Sequence, residues 1–239
     1  MDKNFLKKVN NLKQNKSVFK PNLTTFLSFA VARKKVKKNI KILDLGCGNG
    51  VIGILLFKEK KIHKIYASDI SKSAIKNALY NYKKNKIKYD LRQGSLFTPW
   101  SKGINQNKFD YIISDVSAIS SLVAKKSTWF KNNIPCDTGK DGTKFTIKVI
   151  KESKNFLNKK GKLQIAILSL SNRKKIFNYA KINFKKIKVE GVSNWFVPKE
   201  MLRFKNLLDK YKAKGYINYD YKFNNIICKT EILVCEYPI

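Results

Sequence analysis

The chain has 239 residues, of which 43% are hydrophobic and 12% aromatic, which is typical of a globular protein and excludes a disordered one. Its 51 Lys and Arg residues against 16 acids give a formal charge of +35, which favours polyanionic partners, although biased genome composition also produces such an excess of Lys, Asn and Ile. One His and four Cys without a C-x-x-C pair argue against a metal site, a zinc site above all, and against a Cys–His or Ser–His–Asp centre.

Residues 1–37 are predicted to form an N-terminal helical arm or lid. Phe5 and Val9 recur at helical spacing, and Pro21 and Thr24 stand at the start of a second helix. The N-terminus is basic and lacks the apolar core of a signal peptide, and no run approaches 18 apolar residues, so no membrane span is expected. Unpaired thiols fit the reducing cytoplasm.

The central motif is K-I-L-D-L-G-C-G-N-G-V-I-G at residues 41–53. An apolar run, an acid and alternating glycines predict a buried parallel strand, a tight loop and the start of a helix. Gly46, Gly48 and Gly50 allow the backbone to turn sharply and to approach a ligand closely. The free N–H groups of the first helical turn would face that ligand.

Two acids help to distinguish the possible ligands of this loop. A dinucleotide fingerprint G-x-G-x-x-G also fits if it begins at Gly48 and ends at Gly53. However, Asp44 disfavours a diphosphate and suits a ligand that carries an ammonium and a sulfonium group. Asp69 ends a second apolar run roughly 20 residues beyond the glycines, where an acid can bind both hydroxyls of a ribose.

The sequence D-L-G-C-G-N-G followed by Asp69 resembles motif I and the acidic motif of class I S-adenosylmethionine-dependent methyltransferases. Between residues 18 and 190, the V-x-x-P-x-x-x-T element before motif I and the G-x-D-G turn at 139–142 resemble the HemK-like group, which includes the release-factor glutamine methyltransferases. The resemblance implies S-adenosylmethionine as the cofactor. It implies these cofactor-binding residues: Asp44, Gly46, Gly48, Gly50, Asp69, Ile70, Ser95, Leu96 and Asp115.

Strands and helices alternate along the chain, which predicts an α/β fold with a doubly wound, mostly parallel sheet. The resemblance implies the seven-stranded Rossmann-like methyltransferase fold with an antiparallel C-terminal hairpin. The methyltransferase domain is predicted over residues 38–239, with an insertion at about 191–225. After the first two strands, the strands are predicted at Tyr89–Gln93, Phe109–Asp115, Leu163–Leu168, Ile182–Val189 and Ile226–Cys235, with a helix at 143–157. Asp44, Asp69, Ser95 and Asp115 all fall at strand ends, where such folds bind ligands.

Asp115 is the candidate catalytic residue. It occupies the acid position of the [N/D]-P-P-[Y/F] motif of the resembling family, and the resemblance implies that it orients or deprotonates the nucleophile. Val116, Ser117 and Ala118 replace the two prolines and the aromatic ring, so an aromatic from the insertion would have to stack on a planar acceptor. The candidate substrate-binding residues are Pro21, Thr24, Ser117, Trp195 and Phe196.

The resemblance implies transfer of a methyl group to an N or O nucleophile. The basic charge favours RNA, or a ribosomal or translation-factor protein, as the acceptor. A small-molecule methyltransferase and a basic binding module that has lost catalysis are the alternatives, and the altered residues after Asp115 favour the latter. The insertion is expected to recognise substrate or to form a dimer. Nothing in the sequence indicates the oligomeric state.

Overall fold

The computed structural model describes residues 3–60, 62–102, 108–129, 136 and 138–239. The helices are α1 (Lys3–Asn10), α2 (Leu23–Lys35), α3 (Val51–Lys60), α4 (Lys72–Lys84), α5 (Ser121–Lys126), α6 (Lys144–Ser153), α7 (Arg173–Asn183) and α8 (Lys205–Ala213). The strands are β1 (Ile42–Leu45), β2 (Ile65–Asp69), β3 (Tyr89–Gln93), β4 (Phe109–Ser114), β5 (Leu157–Leu168), β6 (Phe184–Phe196), β7 (Asp220–Lys222) and β8 (Asn225–Pro238). Two 3₁₀ helices cover Thr98–Trp100 and Lys199–Phe204.

Within these residues the strands form one sheet in the order β3-β2-β1-β4-β5-β8-β6, and β7 pairs with β8. The first five strands in this order run parallel, whereas β8 lies antiparallel to its neighbours β5, β6 and β7. This arrangement confirms the predicted doubly wound, mostly parallel sheet with antiparallel C-terminal strands. The three-residue strand β7 adds an eighth strand to the seven predicted.

Helices cover both faces of the sheet because consecutive residues of its strands point to opposite sides. Ile42 of β1 packs in a cluster with α2, α3 and α4, whereas Leu43 packs in a second cluster with α6 and α7. Both side chains are fully buried. In the part of the chain that the structure describes, the ends of the parallel strands therefore stay open to a ligand.

The boundary between α6 and β5 differs from the prediction. Helix α6 ends at Ser153 rather than at 157, and β5 begins at Leu157 with an irregular register opposite β4. A Cβ on Gly161 would lie 2.9 Å from the backbone oxygens of Phe109 and Asn158, so only glycine fits where the strands meet. The apolar run at the end of the predicted helix belongs to this irregular strand start.

Strand β6 continues to Phe196, so residues 191–196, expected at the start of the insertion, lie in the sheet. The strand passes an irregularity between Val189 and Gly191 and then pairs with β8 as far as Ile227. Gly191 has a physical role there, since a Cβ would lie 2.8 Å from Cγ2 of Val31 in α2. The sequence interpretation ended the strand too early because the irregularity interrupts its period-2 pattern.

The segment between β6 and β8 packs on the rest of the protein through its own apolar cluster. Met201, Leu208 and Ile217 are buried there with Val123 and Ala124 of α5. Because α5 follows the loop after β4, this segment lies next to the elements that carry Asp115. None of the helices in the described part of the chain is long and apolar enough to cross a membrane.

The glycine loop offers a test of the packing. Gly50 has φ +83°, and a Cβ added there would lie 2.7 Å from Cε1 of Tyr82. Gly215 has φ +70°, and a Cβ added there would have no atom within 4 Å. Gly215→Ala should lower the free energy of unfolding by roughly 1–2 kcal/mol through backbone strain alone. Gly50→Ala should lower it by roughly 1–3 kcal/mol more, because the added methyl overpacks the site. Urea denaturation measures both, and equal losses would contradict the packing of Tyr82 against Gly50.

Candidate functional site

A cavity lies at the carboxyl ends of the parallel strands, between the glycine loop, the start of α2 and the loop after β4. This is where doubly wound sheets bind ligands. Most of the residues proposed from the sequence line it: Pro21, Thr24, Asp44, Gly46, Gly48, Asp69, Ile70, Ser95, Leu96, Asp115 and Ser117. Four strand ends and the N-terminal segment therefore bring these residues together.

The glycine loop is fixed to the end of β2. The N–H groups of Gly46 and Cys47 donate to the carbonyl oxygen of Ser68, at 2.8 and 3.1 Å. The N–H of Gly48 donates to Oδ2 of Asp69 at 3.0 Å, and the N–H of Ser71 donates to Oδ1 at 2.9 Å. Burial raises the pKa of Asp69, and these backbone donors oppose the rise. Each carboxylate oxygen can still accept a further hydrogen bond from a ligand hydroxyl.

Asp44 is the polar group in this cavity that most needs a ligand. Its side chain is 1% exposed, and neither carboxylate oxygen accepts a hydrogen bond of normal geometry from the described residues, although the backbone N–H of Gly53 lies close enough to affect its pKa. Burial raises its pKa to about 7, the negative charge of Asp115 adds to this rise, and the nearby amide of Gly53 opposes it. A buried carboxylate without a partner is costly, and a positively charged ligand would remove that cost.

Gly48 borders the empty part of the cavity. Its φ is +55°, and an added Cβ would meet no atom within 4 Å. The backbone of Gly48 therefore borders the open cavity directly, and a ligand can approach the loop without a side chain in the way. The unpartnered acid behind the loop and the bare backbone in front of it fit a cationic ligand such as S-adenosylmethionine.

Asp115 follows β4 and faces the same cavity. Oγ1 of Thr25, in the first turn of α2, donates to its Oδ2 at 3.3 Å. Burial raises the pKa of Asp115 to about 6, while the hydrogen bond from Thr25 opposes the rise. A carboxyl group with this pKa is mostly ionised at neutral pH and can still accept and release a proton, as a general base must.

The loop after Asp115 is held by the G-x-D-G turn of residues 139–142. A Cβ on Gly142 would lie 2.7 Å from backbone atoms of Ile119 and Ser120, so the turn and the loop are in direct backbone contact. Oγ1 of Thr138 donates to the carbonyl oxygen of Ile119. Through this packing the turn supports the loop after Asp115, which is a structural role in addition to its resemblance to the HemK-like group.

Three of the proposed residues lie outside the lining of the cavity. Gly50 packs on Tyr82 instead of facing a ligand. Trp195 lies in the cluster beneath the segment that follows β6, where its Nε1 donates to Oγ1 of Thr230 at 3.0 Å, and Phe196 is 60% exposed. Neither Trp195 nor Phe196 lines the cavity, and that one of them stacks on the acceptor stays a prediction.

The aromatic rings that do line the cavity come from other elements. Phe145 belongs to α6, and Phe19 precedes α2. Phe145 stands three residues after the second glycine of the G-x-D-G turn, on the first turn of the predicted helix. Because that turn contacts the loop after Asp115, its position could have indicated a ring near the acceptor side.

Thr25 is the functional candidate that the sequence interpretation missed. In the pattern V-x-x-P-x-x-x-T, Val18 and Pro21 align the final threonine with Thr25 rather than with Thr24. The spacing itself therefore identified the residue that contacts Asp115. The hydroxyl oxygen of Thr24 instead lies 3.4 Å from that of Thr230, within hydrogen-bond distance. Asn22 fixes both residues by accepting their backbone N–H groups.

A methyltransferase domain family matches residues 36–208. The chain is 33% identical over 194 residues to a release factor glutamine methyltransferase of Dictyoglomus turgidum, which covers 75% of this chain and 65% of that protein, so the chain spans less than two thirds of its relative. It is 32% identical over 144 residues to a putative protein N5-glutamine methyltransferase of Methanocaldococcus jannaschii, which covers 60% of this chain and 70% of the relative. These matches confirm the predicted resemblance to the HemK-like group.

Proteins of known structure share this fold. The ribosomal protein L11 methylase of Lactobacillus delbrueckii subsp. bulgaricus superposes with a TM-score of 0.57 at 16% identity, over 92% of this chain and 81% of that chain. At this identity the likeness shows the fold, and it agrees with the strand order of the sheet.

The raised pKa of Asp44 predicts that binding of S-adenosylmethionine depends on pH. Asp44 titrates near 7 in the free protein, so it takes up a proton as the pH falls from about 7 to about 5.5, where the ammonium group of the ligand stays charged. The neutral carboxyl group attracts a cation less, and we expect the affinity to fall by roughly tenfold over this range. Isothermal titration calorimetry measures this change.

The matched control for this prediction is Asp44→Asn. This variant should bind more weakly at pH 7 and lose most of the pH dependence between pH 7 and pH 5.5. An affinity of the unaltered protein that stays constant across the range would contradict the placement of Asp44 at the cation.

Proposed function

Since the chain belongs to the methyltransferase domain family, we propose that it is an S-adenosylmethionine-dependent methyltransferase that methylates an N or O nucleophile in the translation apparatus, either a protein or an RNA. The unpartnered, buried carboxylate of Asp44 beside the bare backbone of Gly48 is the observation that carries this proposal. When bound, the cofactor supplies a methyl group on a positively charged sulfonium.

The residues of this chain divide the binding of the cofactor among them. Asp44 balances its positive charge from behind the glycine loop, and Asp69 accepts hydrogen bonds from the ribose hydroxyls while its backbone donors fix its orientation. Ile70 lies at the rim, 53% exposed, where its side chain can cover the adenine. Ser95 and Leu96, which follow β3, line the cavity and can contact the cofactor.

Asp115 acts on the acceptor. The hydroxyl of Thr25 orients one of its oxygens, which leaves the other to accept a hydrogen bond or a proton from the nucleophile. Ser117 follows in the same wall of the cavity and can contact the acceptor. Alignment of the nucleophile with the methyl group is the main contribution that such a site makes to the rate.

The N-terminal residues 1–37 act as a lid in this proposal. Ser17, Val18, Phe19 and Pro21 line the cavity, so part of this segment forms its wall. The segment is attached through hydrogen bonds of Lys13 and Asn15 to Asn81 and Asn77 of α4. These contacts support a wall that closes over the cofactor and excludes water from it.

The proposed acceptor follows from the net charge of the chain and from the names of its relatives. The relatives named above methylate a release factor or are named for a protein glutamine, and the structural neighbour is named for ribosomal protein L11. The charge of +35 supports binding to the RNA of the ribosome, with counterion release as the driving force. A translation-related acceptor supports a cytoplasmic site of action in this proposal.

A second candidate function is that of a basic binding module without catalysis. It is favoured by Val116 and Ser117, which stand where the resembling family has the prolines that shape the acceptor loop. The two candidate functions share the cofactor cavity, so cofactor binding does not distinguish them. Transfer of the methyl group to an acceptor does distinguish them.

The cofactor site can be tested at Gly48. Gly48→Ala would place a methyl group in open space within the cavity, and Gly215→Ala imposes a comparable backbone strain at φ +70° far from it in sequence. Both variants should lose roughly 1–2 kcal/mol of stability. Only Gly48→Ala should weaken binding of S-adenosylmethionine, by about tenfold or more, as measured by calorimetry. An unchanged affinity in Gly48→Ala would remove the cofactor from this loop.

Methyl transfer itself is tested with S-adenosylmethionine that carries a radiolabelled methyl group and with ribosomes and translation factors as acceptors. We expect label in a protein or RNA fraction, and Asp115→Asn should reduce the rate by about 10²-fold or more while cofactor affinity changes little. Asp220→Asn, the same change at an exposed position on β7, should keep full activity. Cofactor binding without any turnover would favour the binding module.

A further inference from the structure

The charge of the cavity is opposite to that of the protein. The chain carries +35, yet none of the described residues that line the cavity is Lys or Arg, whereas three are aspartates: Asp44, Asp69 and Asp115. In a chain where more than one residue in five is Lys or Arg (51 of 239), this segregation marks a local environment built for positive charge.

The cofactor accounts for only part of this negative charge. S-adenosylmethionine carries a sulfonium, an ammonium and a carboxylate, so its net charge is a single positive one. In the proposed function, Asp44 and Asp69 both face the cofactor. Asp115 is then left with one neutral donor, the hydroxyl of Thr25 at 3.3 Å. A carboxylate removed from bulk water is stabilised far better by a cation than by one hydroxyl.

Around Asp115, the wall of the cavity is mostly apolar. Of the four residues that follow Asp115, Val116, Ala118 and Ile119 are apolar and Ser117 carries a hydroxyl. Leu168 and Phe145 face the same space. Nearby hydroxyls have partners of their own, since Thr25 donates to Asp115 and Thr24 lies within hydrogen-bond distance of Thr230. A carboxamide or a nucleobase presents several donors and acceptors, for which this wall offers few side-chain partners. An aliphatic amine presents an apolar stem with one charged end, which suits apolar walls beside a single carboxylate.

We propose that the methyl acceptor is an aliphatic amine that enters in its protonated form, such as a lysine side chain or a protein amino terminus, and that Asp115 binds its ammonium group. This inference rests on the proposed methyltransferase function. It assigns the acceptor a different class from the glutamine amide for which the sequence relatives are named.

The proton and electron balance is simple. The ammonium group transfers one proton to the carboxylate of Asp115, which leaves a neutral amine with a lone pair. That nitrogen forms a bond to the methyl carbon while the carbon–sulfur bond breaks, and the bonding electron pair stays on sulfur. The product nitrogen is again positively charged, and Asp115 releases its proton to water.

Binding tests the inference without turnover. The protein is saturated with S-adenosylhomocysteine and titrated with n-butylamine or butyramide, which match in length and differ in charge, and binding is followed by ligand-observed NMR. We expect saturable binding of the amine in the millimolar range, weakened about tenfold in Asp115→Asn and unchanged in Asp220→Asn, with much weaker binding of the amide. Equal binding of both ligands, no binding of the amine, or an Asp115→Asn variant with unchanged amine affinity would overturn the inference.

Chemical analysis of the labelled acceptor separates this inference from the proposed function. Acid hydrolysis converts a methylated glutamine amide to volatile methylamine, whereas a methylated lysine or amino terminus keeps its label in a non-volatile amino acid. We expect non-volatile label. Label in methylamine or in nucleosides would overturn the amine acceptor and leave the methyltransferase function intact. Failure to transfer label would count against the function, and the binding titration would then decide the inference alone.

Discussion

The anchoring of the glycine loop to the end of β2 is the constraint on which the site depends. Two loop N–H groups share the carbonyl oxygen of Ser68, and a third donates to Asp69. This fixes the bare backbone of Gly48 against the cavity while Asp44 lies buried behind it. Because β1 lies between β2 and β4, the same register that holds the loop also sets Asp115 on the adjacent strand end.

The N-terminal segment completes the site through contacts that are distant in sequence. The capping box of Asn22 and Thr25 begins α2, and the same threonine then contacts Asp115. Its neighbour Thr24 lies within hydrogen-bond distance of Thr230, which also accepts from the indole of Trp195. A continuous set of hydrogen bonds thus connects β6 and β8 to the start of α2. Displacement of α2 would move the acceptor side and the cofactor side of the cavity together.

The sequence was sufficient for the features that depend on local pattern. The alternation of apolar runs and glycines predicted the sheet, and the strand-end positions of Asp44, Asp69 and Asp115 predicted the edge at which they meet. The position of Trp195 could not be predicted in this way, because it depends on how far β6 pairs with β8 beyond an irregularity. The lack of a partner for Asp44 also depends on three-dimensional packing, since only the folded chain shows which donors reach it.

The basic exterior and the acidic cavity act over different distances, and this difference reconciles the two parts of the proposal. Salt screens exposed charges beyond about 8 Å at physiological ionic strength, whereas groups inside a cavity are screened much less. The positive surface repels a small free amine at long range, but it attracts a partner that contains RNA. An amine acceptor is therefore best delivered on a protein that is bound to RNA, and once it enters the cavity, Asp115 favours its charge. On this argument the lysines select the assembly, and the aspartates select the atom that is methylated.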